Sequence, residues 1–256
     1  MAATSNAPAD WPRIRDWRKA QRAALVERRA AMPRETLDPW NAAITEALAA
    51  GFPKLAGMTI GFCWPHRNEF DARFVIRRFR DLGATAALPA VVEKAGPLQF
   101  RKWWPGAPMK TGVYDIPFPD GTELLVPDAA FVPMNGFDGR GYRLGYGGGY
   151  FDRTLASMTP RPIAIGVSYE FARLPTIEPQ PHDIPMDFVV TEAGIHAAGG
   201  EPLARIDAQE CRARTERLCE QRGLPRPRRP ADASLSSPVC YASEFPGYFG
   251  EKEEKR

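Results

Sequence analysis

Residues 131–155 read FVPMNGFDGRGYRLGYGGGYFDRTL, and the fold turns on this stretch. It opens as an apolar run suited to a buried strand, crosses a loop dense in glycine and aromatic residues, and ends at Asp152-Arg153 with helix-compatible spacing. Glycine adopts positive φ at little steric cost, so a loop holding Gly139, Gly141, Gly145, Gly147, Gly148 and Gly149 can turn successive backbone N–H groups inward. The helix that follows offers unpaired N–H groups and the positive end of its dipole, which together suit a phosphate. Neither the dinucleotide fingerprint nor the P-loop pattern is present in proper form, so an ordinary loop is the competing interpretation. Against a plain linker stand Tyr142, Arg143, Leu144, Tyr146, Tyr150, Phe151 and Arg153, which a flexible tether has no use for.

Working outward, residues 12–32 favour a helix, with Pro12 in its first turn and Ile14, Trp17, Leu25 and Val26 at helical spacing. Arg18 and Arg22 are four apart and share a face of it, where two guanidinium groups can clamp an anion. A second helix is expected over 38–50, closed by Gly51 and Pro53. Residues 58–64 form a buried strand, 65–71 a loop with Glu69 and Asp71, 74–82 a helix and 84–88 another strand. Residues 98–103 and 114–118 are short extended pieces of a lobe beside the sheet, and 162–168 and 186–191 are further strands. The alternation predicts an α/β fold, a three-layer open and mostly parallel sheet whose ligands gather at the carboxyl ends of the strands. The proline-rich loop 170–185 carries Glu178, His182 and Asp183, of which Asp183 suits a hard cation.

At 256 residues, 44% hydrophobic and 25% charged, the composition is that of an ordinary globular protein. A formal charge of +3 argues against nucleic acid as the main partner, although arginines crowd the segments 13–29 and 205–229. Cys63, Cys211, Cys219 and Cys240 form no CxxC pair, so zinc and a disulfide framework are disfavoured and a reducing, cytoplasmic setting is expected. No apolar leader and no run long enough to span a bilayer is present, which predicts no membrane partner. Three parts are expected: a disordered leader 1–11, a catalytic domain 12–196, and an appendage 197–256 outside the catalytic sheet, helical to about Gly223 and then disordered. The aromatic residues at 239–249 suit docking on the chain's own domain or on a protein partner.

Five ordered pieces resemble one known family. Arg143-Leu144-Gly145-Tyr146-Gly147-Gly148-Gly149-Tyr150-Phe151-Asp152-Arg153 looks like an RLGxGxGYYD signature preceded by a strand ending at Asp138. Arg18-Lys19-Ala20-Gln21-Arg22, followed by Arg28-Arg29, is similar to an N-terminal basic helix. Residues 64–71 resemble a strand-to-helix loop with its acidic residue, Tyr114-Asp115-Ile116-Pro117 a short aromatic piece, and His182-Asp183 with 187–192 a closing motif. The family is the 5-formyltetrahydrofolate cyclo-ligases, also called methenyltetrahydrofolate synthetases. The resemblance implies ATP- and magnesium-dependent conversion of 5-formyltetrahydrofolate to 5,10-methenyltetrahydrofolate, on a fold shared with sugar-phosphate isomerases and CoA transferases.

The same resemblance implies the site. The loop Arg143, Leu144, Gly145, Tyr146, Gly147, Gly148, Gly149, Tyr150, Phe151 would hold the nucleotide, with Arg18, Lys19 and Arg22 reaching it from the N-terminal helix. Asp152 and Asp183 would hold Mg2+, Trp64, Glu69 and Tyr114 would line the folate pocket, and Arg143, Tyr150 and Asp152 would be catalytic. The chain departs from the pattern at Met134-Asn135-Gly136, where a Gly-Leu-Ala/Gly piece is usual, and at Gly148, where some members carry lysine. These departures leave a divergent paralogue on the same fold as one alternative, binding ATP or a sugar phosphate, and a non-enzymatic binding module as another.

Overall fold

The structure is a computed structural model that describes residues 10–198 and 202–226. Helices α1 (Trp11–Ala30) and α2 (Arg34–Gly51) precede β1 (Thr59–Gly61), α3 (Arg73–Asp81) and β2 (Thr85–Ala90). A lobe follows with β3 (Gln99–Trp103), β4 (Met109–Thr111), β5 (Pro117–Pro119) and β6 (Leu124–Leu125). Next come β7 (Ala129–Pro133), β8 (Gly136–Asp138), β9 (Arg143–Leu144), α4 (Tyr150–Ser157) and β10 (Ile163–Val167). The remaining elements are β11 (Arg173–Leu174), β12 (Phe188–Thr191), β13 (Gly194–Ala197), β14 (Ala204–Ile206) and α5 (Ala208–Arg222).

The main sheet has the order β14-β13-β12-β10-β7-β1-β2-β3-β6. Its middle, β12-β10-β7-β1-β2, is parallel, and both flanks are antiparallel. The α/β, mostly parallel expectation therefore holds. The central strands are apolar at successive positions because both faces are covered, as parallel sheets require. Phe131, Ile163, Ile165, Phe188 and Val190 face α2, α3 and α5, while Val132, Ala164 and Val189 face Leu25 of α1 and Leu155 of α4. This alternation is the two-residue period of strands, and it makes three layers. Each fully buried leucine, isoleucine or phenylalanine contributes about 1.5–3 kcal/mol of transfer free energy.

The segment set apart by composition as an appendage from 197 onward joins this layered body as far as residue 226. The strand β14 extends the main sheet, and α5 packs on it with Cys211, Thr215 and Cys219 buried. Arginine-rich composition concealed this, since α5 buries only a narrow stripe of small side chains and points its charges outward. Arg222 donates to both oxygens of Asp187 at 2.6 and 2.8 Å, and the Arg226 backbone N–H donates to Asp128 at 2.9 Å. Of the leader expected over 1–11, residues 1–9 lie outside the described residues and Trp11 already belongs to α1; the linker beyond 226 and the aromatic tail also lie outside them.

Candidate active site

The glycine stretch opens at the carboxyl end of β7 and closes on α4, so it sits where a parallel sheet presents its loops. Gly147 has φ +93° and Gly149, the residue before α4, has φ +63°, conformations that favour glycine. A side chain at Gly147 would meet the Arg22 guanidinium at 3.2 Å, and one at Gly149 would meet Arg153 at 2.8 Å. Leu144 is buried at the base of the loop in β9, and its carbonyl accepts from the Asn135 N–H at 2.9 Å. Tyr150 and Phe151 pack beside Leu98 and Phe100 under the loop, and Arg153 donates to the Gly148 carbonyl at 2.5 Å and to that of Gly96 at 3.3 Å.

Helix α1 lies across the other side. Its inner face carries Arg18, Arg22 and Arg29 at helical spacing, and each reaches a different loop. Arg18 donates to the carbonyls of Ile177 (2.9 Å) and Glu178 (2.8 Å) and pairs with Asp183 at 2.6 Å. Arg22 donates to the Gly145 carbonyl at 2.6 Å. Burial and then the neighbouring Arg18 hold its pKa below the ordinary guanidinium value, so a nearby anion would relieve both. Lys19, Arg22, Arg67 and Tyr146 line an open cleft of about 550 Å³ along this face. That volume is of the size that small-molecule ligands occupy.

The two predicted magnesium carboxylates are neighbours through the loop that enters β12. Asp152 accepts from the Ile184 N–H at 3.1 Å and pairs with the buried Arg143 at 2.8 Å, and Arg143 also donates to the Ile184 carbonyl at 3.0 Å. Burial lowers the Arg143 pKa, and Asp152 opposes the shift. Asp183 accepts from the Gln180 N–H at 2.7 Å besides Arg18. Among the described residues no group of three or more His, Cys, Asp or Glu side chains gathers as a ready-made metal cage. Two carboxylates each held by an arginine fit a cation that arrives on phosphate oxygens, because magnesium commonly takes one or two carboxylates and fills its shell with phosphate and water.

A second cluster lies deeper. Glu69 is buried, accepts from Tyr146 Oη at 2.7 Å and from the His66 N–H at 3.1 Å, and stands 3.6 Å from Arg29. Burial raises its pKa, while Arg29, Tyr146 and the His66 N–H pull it back in part. Arg29 donates to the Arg67 carbonyl (2.9 Å), Asn135 Oδ1 (2.9 Å) and Tyr146 Oη (3.0 Å). A cavity of about 20 Å³ beside Arg29 and Glu69 is closed by Cys63, Met134, Ser168 and Tyr169. Trp64 is half-buried against the main core, with the Arg73 guanidinium 4.6 Å from its ring centroid. Tyr114 lies in the single turn Val113–Asp115.

Arg29 and Asn135 were not among the predicted site residues. The signal for Arg29 was present, since 18, 22, 25 and 29 follow one helical stripe. The departure Met134-Asn135-Gly136 also gains an account. Met134 fills the space left by Gly166, where a side chain would meet its sulfur at 2.5 Å. Asn135 holds Arg29, and Gly136 lets Leu25 of α1 approach, its Cδ1 lying 2.9 Å from where a side chain would begin.

The glycine loop, the arginine face of α1 and the buried glutamate are linked by hydrogen bonds through Tyr146, Arg22 and Arg29, and a family model described as the 5-formyltetrahydrofolate cyclo-ligase family matches residues 14–192. The chain belongs to the 5-formyltetrahydrofolate cyclo-ligase family. The 5-formyltetrahydrofolate cyclo-ligase of Mycolicibacterium smegmatis is 29% identical over 178 residues, spanning 66% of this chain and 91% of that protein. The solved structure of a 5,10-methenyltetrahydrofolate synthetase from Aquifex aeolicus superposes with a TM-score of 0.62 at 24% identity, covering 73% of this chain and 96% of that one. A second, from Mycoplasma pneumoniae, gives 0.57 at 22% identity, covering 68% and 98%. At those identities the two structures establish a shared cyclo-ligase fold. The matched region ends at 192, whereas the layered body of this family member runs on through α5.

Proposed function

We propose that this chain closes 5-formyltetrahydrofolate to 5,10-methenyltetrahydrofolate with consumption of ATP in the presence of magnesium, releasing ADP and phosphate. The observation that carries the proposal is Arg22 seated on the Gly145 carbonyl at 2.6 Å, which brings a cation with no carboxylate partner among the described residues to a positive-φ glycine loop. In this reading Arg18, Lys19 and Arg22, with the loop of Arg143, Leu144, Gly145, Tyr146, Gly147, Gly148, Gly149, Tyr150 and Phe151, hold the nucleotide. Trp64, Glu69 and Tyr114 hold the folate.

The formyl oxygen is a poor leaving group. It takes the γ-phosphoryl group of ATP, N10 of the folate adds to the formyl carbon, and phosphate departs as the ring closes. Phosphoryl transfer of this kind depends on positioning and charge neutralisation, which backbone N–H groups and arginines supply without a covalent catalyst. Arg143 and Arg22 face the developing charge, Tyr150 braces the loop, and Asp152 and Asp183 are the carboxylates that would hold magnesium, whose contribution is neutralisation of the phosphates. The unpaired thiols Cys63, Cys211 and Cys219 support a reducing compartment such as the cytoplasm. No helix among the described residues is long and apolar enough to cross a membrane.

The test is turnover: purified protein with 5-formyltetrahydrofolate and Mg·ATP, followed by the absorbance of the methenyl product. Stoichiometric methenyl product and ADP are expected. Binding of ATP without product would instead indicate a divergent paralogue with another substrate.

A further inference from the structure

Tyr146 belongs to the glycine loop and is half exposed, yet its hydroxyl is bonded to two residues that line the other pocket. The side chain lines the outer 550 Å³ cleft, while Oη donates to Glu69 Oε1 at 2.7 Å and accepts from Arg29 Nη2 at 3.0 Å. Those two charged groups line the inner cavity, whose 20 Å³ holds about one water. A bicyclic folate ring needs a pocket of roughly 300 Å³ or more. The phenol already occupies Glu69 Oε1 and Arg29 Nη2, so a ring that takes these two atoms must displace it.

What the phenol presents says what can replace it. It offers one donor to a carboxylate and one acceptor to a guanidinium at adjacent positions, and a cyclic amide edge, ring N–H beside C=O, offers the same pair. Asn135 sits on the same Arg29 and is buried, with no partner for its Nδ2. That leaves a third polar group for an incoming ring, since a buried amide donor is costly to leave unpaired.

We propose that Tyr146 is a placeholder for the amide edge of the substrate ring, and that its expulsion couples the ring pocket to the nucleotide loop. The inference rests on the cyclo-ligase reading and adds a direction to it. Tyr146 lies between Gly145, whose carbonyl holds Arg22, and Gly147, which has φ +93° and carries that guanidinium against its face. Moving Tyr146 out reshapes this segment and frees Arg22 to turn to phosphate oxygens. Folate binding thus raises nucleotide affinity, and by linkage nucleotide raises folate affinity by the same factor.

The test uses full-length protein, 5-formyltetrahydrofolate and Mg·β,γ-methylene-ATP, with each Kd measured in the absence and presence of the other ligand. In the wild type each ligand is expected to tighten the other roughly tenfold. Tyr146→Phe keeps the ring but loses both hydrogen bonds, so formylfolate alone binds it more tightly and the mutual effect shrinks to about twofold or less. Tyr146→Leu repeats the measurement should the phenylalanine variant melt abnormally. Weaker formylfolate binding by both variants would make the phenol a ligand of the substrate and overturn the proposal, as would independent affinities in the wild type or undiminished coupling in the variants. Methenyl formation is followed in parallel. Turnover with independent affinities sinks the coupling alone, whereas its absence in the wild type sinks the cyclo-ligase reading.

Discussion

Arg18, Arg22 and Arg29 show how one helical stripe becomes a site. A guanidinium is tolerated in the interior only when its fork is filled: the buried Arg18 and Arg29 find carbonyls, an amide and a carboxylate on loops more than thirty residues away, whereas the half-buried Arg22 bonds the Gly145 carbonyl through Nε. Sequence spacing exposed the shared face of Arg18 and Arg22, but not the partners, because those come from strands distant in the chain. Glu69 makes the energetic consequence measurable. Its pKa stands above the ordinary carboxylate value of 4.5 because burial outweighs the pull of Arg29. The folded state thus binds this proton more tightly than the unfolded chain does. The associated stability is complete below the ordinary value and is lost as pH rises through the folded one. Glu69→Gln has no such proton to lose, so its melting temperature relative to the wild type is expected to climb as pH increases from about 4. Paired thermal melts from pH 4 to 8 check this, and a difference that stays flat with pH would refute it.

Elements differ in how legibly they are written. Helix α1 and the central strands could be read from periodicity, since their burial is one-sided or complete. Helix α2 begins at Arg34 rather than near Asp38, with Pro39 carried inside it at the expense of one backbone hydrogen bond. The least legible element was α5. Its low apolar content suggested an appendage, yet α2 accommodates it through Gly51, where a side chain would meet Ile195 at 2.5 Å and Cys211 at 3.1 Å. Arg212 also donates to the Ala50 carbonyl at 2.9 Å. Ending the chain at residue 206 is therefore expected to abolish folding, because it uncovers part of the main core and takes from Asp187 one of its two arginine partners, Arg161 remaining. A chain ending at Arg226 keeps α5 and should fold and melt with the full protein. Circular dichroism melts and turnover of the two truncations decide the matter, and an active protein ending at 206 would restore the appendage.

At the scale of the molecule, β14 and α5 share a sheet and a core with the catalytic strands, so residues 10–226 should unfold as one unit. Calorimetry is expected to show a single transition with equal calorimetric and van't Hoff enthalpies, and a separate early transition would mean that the carboxyl-terminal part folds by itself. The sequence alone determined the layered α/β class, the strand that feeds the glycine loop, the shared face of Arg18 and Arg22, and the family, because these depend on local periodicity and on motifs contiguous in the chain. Tertiary structure decided the rest. It set Tyr146 on Glu69 and Arg29 across 77 and 117 residues, gave Asp152 and Asp183 their arginine partners, and made α5 part of the body. Such pairings arise where loops from separate strands converge at one end of a parallel sheet, and no periodicity along the chain encodes which loops will meet.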